Sequence, residues 1–251
     1  MNLSYRSSAN HAGSRAKSVG AKTRLGAGLA LIMVALGASH LSAAPPSVKG
    51  KLTGYEKLVV DVYGEAANPA SKRWSWREPS VAVDPKFRNL SPQISREVCL
   101  VATNNAPNPS GPSLLVKVTG GRTNPVTIVV QPETTLAFQN ADPFPHTLSF
   151  GDKAPELALA PGARVEWKTP NGVQQVEIRD PGFPSLRSYV LTDPNVVQTV
   201  YPAHDGSFSF SLTGGDYNLK AFFGGKQVGK TVPMAVKDKG TLDLKEFSVA
   251  P

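Results

Sequence analysis

At 251 residues, 40% hydrophobic and 18% charged, the chain is long enough for one large or two modest domains and has the balance of an ordinary globular protein. Gly and Pro, 22 of each, favour many short strands joined by turns over long helices, so the expected class is all-β. The formal charge of +8 belongs largely to the front end, and without a basic cluster interleaved with aromatics a nucleic-acid partner is not expected.

Residues 1–44 carry Arg6, Arg15, Lys17, Lys22 and Arg24 and no acid, then the apolar run Leu25 to Leu36 and the small residues LSAA. That layout predicts a secretory signal, cleaved after Ala43 or Ala44, because the apolar core is shorter than the roughly 20 residues of a spanning helix. If the segment stays uncleaved, it is the chain's membrane contact. No Cys follows the run, so a lipid-anchored cysteine is not available there. Removing these five basic residues from the 27 Lys and Arg leaves 22 against 19 acids, about +3, and export places the protein in the periplasm or outside the cell.

From Val48 to Gly64 two short alternating runs around Gly54 predict a β-hairpin. The stretch 68–93 is irregular and reads as an ordered loop. Within it Trp74 and Trp76, two apart and interleaved with Arg73 and Arg77, face one side of an extended backbone. Such a stack either plugs the end of a sandwich or makes a surface for a sugar or peptide, and Trp74, Trp76 and Arg77 are the candidate binding residues. Cys99, the one cysteine, lies in the apolar run VCLVA and is expected to be a small buried hydrophobe, with no disulfide available.

Asn104 to Pro112, NNAPNPSGP, is the strongest breaker in the chain and reads as a loop or joint. The runs that follow, each a few apolar alternations bounded by Gly, Pro or Asn, have the cadence of a β-sandwich. In Thr134 to Phe150, TTLAFQNADPFPHTLSF, two strand patterns flank a proline-bearing corner that presents His146. This stretch resembles the corner of cupredoxins, copper proteins of the plastocyanin type, in which a strand written V-x-F-x-N-x-D precedes the first copper-ligating histidine. The resemblance implies a Greek-key sandwich whose remaining ligands, Cys, His and Met, come from one loop between the last two strands. On that pattern Asp180 stands for the Cys, Phe183 for the His and Leu186 for the Met, so His146 is the sole candidate metal ligand. One imidazole beside Asp, Phe and Leu cannot supply a type 1 copper field, which needs a thiolate and two imidazoles. A hydrogen bond from His146 to a carbonyl or to Asp142 is the expectation, with His146→Ala costing about 1 to 2 kcal/mol.

Beyond Asp193 the pattern changes to longer, Gly-punctuated hairpins. The piece HDGSFSFSLTGGDYNLKAFF, through Asp205, Gly206, Phe208, Phe210, Gly215, Tyr217 and Leu219, resembles the carboxypeptidase regulatory-like family, small β-sandwiches with a D-G-x-F-x-F…G-x-Y-x-L signature. The pairing of the two units resembles exported proteins related to methylamine utilisation. Gly224 to Thr231 matches a P-loop by letter, but Pro233 and strand-like alternation follow, so a hairpin turn is expected. His204 reads as a turn residue before Asp205 and Gly206, and no nucleophile elbow or isolated carboxylate pair stands out.

The sequence thus predicts an all-β chain: signal 1–44, cupredoxin-like Greek-key sandwich 45–192, and a small regulatory-like sandwich 193–251. The expected function is non-enzymatic binding or support in the cell envelope, without a cofactor and with an envelope protein or polysaccharide as partner. Copper-based electron transfer and carbohydrate binding are the alternatives.

Overall fold

The computed structural model describes residues 47–58, 92–151, 156–183 and 185–250, all within the compact unit Ser42–Pro251. The expected signal segment, together with Trp74, Trp76 and Arg77, lies outside the described residues. No helix among the described residues is long and apolar enough to cross a membrane. The described chain is all-β, with a one-turn helix, α1 (Ile94–Glu97), and a 3-10 turn at Tyr55–Lys57 as its helical elements.

Two apolar cores organise the strands. The terminal sandwich draws on both ends of the described chain. In one sheet β1 (Ser47–Thr53) runs antiparallel to β13 (Ser207–Ser211) and parallel to β16 (Thr241–Ser248). The facing sheet has the order β12 (Val196–Val200), β2 (Val98–Thr103), β14 (Gly215–Phe223), β15 (Lys226–Val236). Alternation explains the packing: Val48 and Leu52 from β1, Phe208 and Phe210 from β13, and Tyr217, Leu219 and Ala221 from β14 point into one core. Gly50 is where this sandwich needs a glycine, because the Phe208 ring lies across it and a Cβ there would sit 2.6 Å from the ring.

Packing therefore does not follow the sequence division at 192/193. β1 and β2, expected with the first sandwich, pair with strands of the second, and Val48, Leu52, Val98, Leu100 and Ala102 bury their side chains in its core. The reason is economy of apolar faces: β13, β14 and β16 expose one apolar face each, and the 59 residues after Thr192 do not supply enough strands to cover them. Nor does β1 form the local hairpin expected around Gly54. Gly54, at φ 74°, turns the chain into the 3-10 turn instead, and residues 59–64 lie outside the described part.

The central sandwich comprises a sheet of order β4 (Thr123–Asn124), β3 (Leu114–Val118), β6 (Thr135–Asn140), β9 (Arg164–Lys168). It faces a sheet of order β5 (Thr127–Val130), β11 (Arg187–Thr192), β10 (Gln174–Arg179), β7 (His146–Phe150), β8 (Leu157–Leu159). β3 pairs with β6 and β5 with β11 in parallel, so strands distant in sequence become neighbours. Val116, Val118, Ile128, Leu136, Phe138, Leu148, Ile178 and Leu186 fill its core.

β2 and β5 join the two sandwiches. Every residue of both strands is buried, the signature of strands covered on both faces. Val98, Leu100 and Ala102 look into the terminal core. Cys99 and Val101 meet Val129, Val196 and Phe222 in a third cluster between the sandwiches. This explains the full burial of Cys99, whose thiol burial pushes up to about 12. β5 is an edge strand of its sheet, and its carbonyls are capped by side chains of the terminal sandwich: Tyr201 Oη donates to Thr127 O at 2.8 Å and Thr199 Oγ1 to Val129 O at 2.8 Å. An edge closed in this way cannot recruit a foreign strand. The letter-match to a P-loop is, as expected, a hairpin: Phe223 pairs with Lys226 across Gly224 and Gly225, both at positive φ, and β15 follows in place of a helix.

Candidate functional site: a buried Asp–His–Asp triad

The corner between β6 and β7 is built by its own polar residues. Asn140, the last residue of β6, donates from its amide to Phe144 O at 2.8 Å and Leu159 O at 3.1 Å, while its Oδ1 accepts the backbone N–H of Asp142 at 2.8 Å. This Asx-type turn closes the corner and aims Asp142 inward. Two strand positions earlier Phe138 anchors the corner to the core, fully buried and edge-on to Phe150 at 5.7 Å between centroids. The F-x-N-x-D pattern is thus a core anchor, a turn former and a carboxylate.

His146 opens β7 and is 2% exposed. Its Nδ1 lies 2.8 Å from Asp180 Oδ2, and its Nε2 lies 3.1 Å from Asp142 Oδ2. Both carboxylates are buried, and each is solvated by backbone N–H groups in place of water. Gly120 N donates to Asp142 Oδ1 at 2.5 Å and Gly121 N to Oδ2 at 2.9 Å. Gly182 N donates to Asp180 Oδ1 at 2.7 Å and Thr147 N to Oδ2 at 3.3 Å. Gly120 and Gly121 form the tight turn between β3 and β4, with φ of 61° and 64°, a conformation in which glycine avoids the Cβ penalty. Burial raises the Asp142 carboxyl, but the N–H donors of Gly121 and Gly120 and the His146 ring outweigh it, and Asp142 sits below the ordinary carboxylate value.

Aromatic rings close the remaining sides. Phe144 and Phe183 stack with centroids 4.8 Å apart and planes 17° apart, and His146 stands edge-on to both, at 5.1 and 4.9 Å. Ser185 Oγ donates to Gly121 O at 3.1 Å, so the loop 180–186 touches the 119–122 hairpin as well as the corner. Three segments therefore converge on one imidazole.

The structure brings together Asp180, Phe183 and His146, as the alignment with the cupredoxin loop required, and buries Leu186 in the adjoining core. The donor set does not fit a type 1 copper ion. Where the cupredoxin resemblance would put the thiolate and the second imidazole stand Asp180 and Phe183, and both His146 nitrogens already face carboxylates. Those carboxylates lie off opposite nitrogens of the ring, so the three groups share no common point. Among the described residues no group of three or more His, Cys, Asp or Glu is arranged to hold a metal ion. His204 is exposed in its turn, and Cys99 belongs to the cluster between the sandwiches. The sequence signal for Asp142 was present in the corner motif. The part of Gly120 and Gly121 was not, because a Gly-Gly pair announces a turn and not the carboxylate that its N–H groups will meet.

Neither a protein-family model nor a curated protein matches the sequence. Solved structures similar to part of the chain include a copper nitrite reductase and small cupredoxins. A copper-containing nitrite reductase from Thermus scotoductus is 18% identical with a TM-score of 0.29, over 32% of this chain and 22% of that one, so the chain spans about a fifth of the reductase. A reduced amicyanin variant is 13% identical with a TM-score of 0.30, over 37% of this chain and 99% of that one. A purple cupredoxin from Nitrosopumilus maritimus is 18% identical with a TM-score of 0.29, over 32% and 99%.

Proposed function

We propose that the chain is an exported, non-enzymatic protein of the cell envelope in which a cupredoxin-like sandwich serves binding or structural support without copper. One observation carries this reading: the histidine that the cupredoxin resemblance offers as a ligand has both ring nitrogens committed to buried carboxylates. The capped edge of β5 and the shared cluster around Cys99 and Val129 support a role for the two sandwiches as one stiff body. In this reading the terminal sandwich is a regulatory-like module, suggested by the Asp205–Gly206 turn and the alternating Phe208 and Phe210. The partner is an envelope protein or polysaccharide, and Trp74, Trp76 and Arg77 remain the proposed contact residues for a glycan. Metal analysis and a visible spectrum of the protein purified from its native envelope, before and after copper addition, test the proposal. Stoichiometric copper with a thiolate-type visible band would overturn it, and glycan binding lost on substituting Trp74 and Trp76 would specify it.

A further inference from the structure

The hydrogen-bonding partners of the triad fix a charge state. Asp142 is approached by Gly120 N, Gly121 N and the ring, and Asp180 by Gly182 N, Thr147 N and the ring. Apart from the ring, every partner among the described residues is an N–H donor, so a proton on either carboxyl would face donors and find no acceptor among them, and both groups fit as carboxylates. A ring between two carboxylates makes two hydrogen bonds when both of its nitrogens carry protons, whereas a neutral imidazole leaves one nitrogen lone pair against a carboxylate oxygen in a buried site.

We infer that His146 is held as an imidazolium at neutral pH and is the resident cation of this end of the sandwich. It ties the 119–122 hairpin through Asp142, the corner through its own strand, and the loop 180–186 through Asp180. The inference rests on the copper-free reading and adds to it a proton-held staple in the place where the resemblance would put a metal. The charged groups facing the ring are Asp142 from the corner and Asp180 from the loop, and the hairpin contributes its two glycine N–H groups.

Nitrogen-15 NMR of the histidine-labelled full chain tests this. The expected result at neutral pH is one histidine with both ring nitrogens at protonated shifts and two slowly exchanging ring N–H protons. In Asp180→Asn the same ring should revert to one protonated and one lone-pair nitrogen. A wild-type spectrum with one lone-pair nitrogen on His146 and no response to added copper overturns the staple and leaves the copper-free reading standing. Loss of the His146 ring signals on adding one equivalent of copper overturns both. A protonated ring that persists unchanged in Asp180→Asn also counts against the staple, since the carboxylate would then not be what holds the proton.

Discussion

Replacing His146 with alanine removes the positive partner from two carboxylates that are 6% and 3% exposed and vacates the volume of a buried ring. One lost hydrogen bond would cost about 1 kcal/mol, but breaking a buried ion pair by deleting one partner typically costs about 3 to 5 kcal/mol, because a charge is left without compensation. The four backbone N–H donors keep part of that charge solvated, so the loss expected is at the lower end, about 3 kcal/mol, and exceeds the 1 to 2 kcal/mol that the sequence suggested. The pH dependence follows from Asp142. Its folded value lies below the unfolded one, so it contributes stability above the unfolded value of about 3.9, a contribution lost as pH falls through the folded value. Without the ring this contribution shrinks, so the gap between wild type and variant should begin to close as pH falls below about 4 and vanish only below the folded Asp142 value. Urea denaturation of both proteins at pH 7 and in that acid range, followed by circular dichroism and by amide exchange at Gly120 and Gly121, measures the difference. A loss under about 1 kcal/mol at pH 7, or an equal loss at both pH values, would refute the argument.

Tyr201→Phe removes the donor to Thr127 O and should cost about 1 kcal/mol, with faster amide exchange along β5 while the central core stays protected. Cys99 is fully buried with its thiol raised to about 12, so iodoacetamide at neutral pH should label it on unfolding and leave the native protein unmodified. Gly206→Ala should destabilise the terminal sandwich by more than about 1 kcal/mol in thermal melts, since φ is +84° and a Cβ would stand 2.6 Å from Leu52 O. Asp180→Cys, Phe183→His and Leu186→Met together should create a copper-dependent visible band, and a folded triple variant that takes up no copper would show that these positions are not the ligand sites of the loop.

Much of the fold was legible because alternation is a local property. Phe208, Phe210, Tyr217 and Leu219 announced strands with one apolar face, and the apolar run at Val98 to Ala102 announced a strand, though not that it would be buried on both faces. Which strands share a sheet was not legible: β1 finds β13 and β16 across most of the chain, and nothing near Val48 specifies those partners. The site divides in the same way. The corner's Asn140 and Asp142 act within a few residues of His146, so the motif carried them. Asp180 could be placed only by analogy with a ligand loop, and the analogy found its position while leaving open what its carboxylate does there. A carboxylate that supplies the wrong chemistry for a type 1 copper ion supplies a hydrogen-bond acceptor for a ring N–H.

The two carboxylates are not equivalent in what they say about the scaffold. Asp142 takes its turn from Asn140 and its N–H donors from the 119–122 hairpin, so its hold on Nε2 is a property of the corner and its neighbours in the same half of the sandwich. Such a carboxylate behind one ring nitrogen is also how many metal sites orient a histidine whose other nitrogen meets the ion. The other nitrogen, Nδ1, faces Asp180, the first residue of the loop between β10 and β11. The ring is therefore presented to the loop by the corner, and the loop decides what it meets: with Asp180 and Phe183 there, it meets a carboxylate and a phenyl ring. Copper uptake by the Asp180→Cys, Phe183→His, Leu186→Met variant would show that one sandwich end can hold either kind of cation by exchanging residues in a single loop, provided the hairpin and the corner keep Asp142 in place.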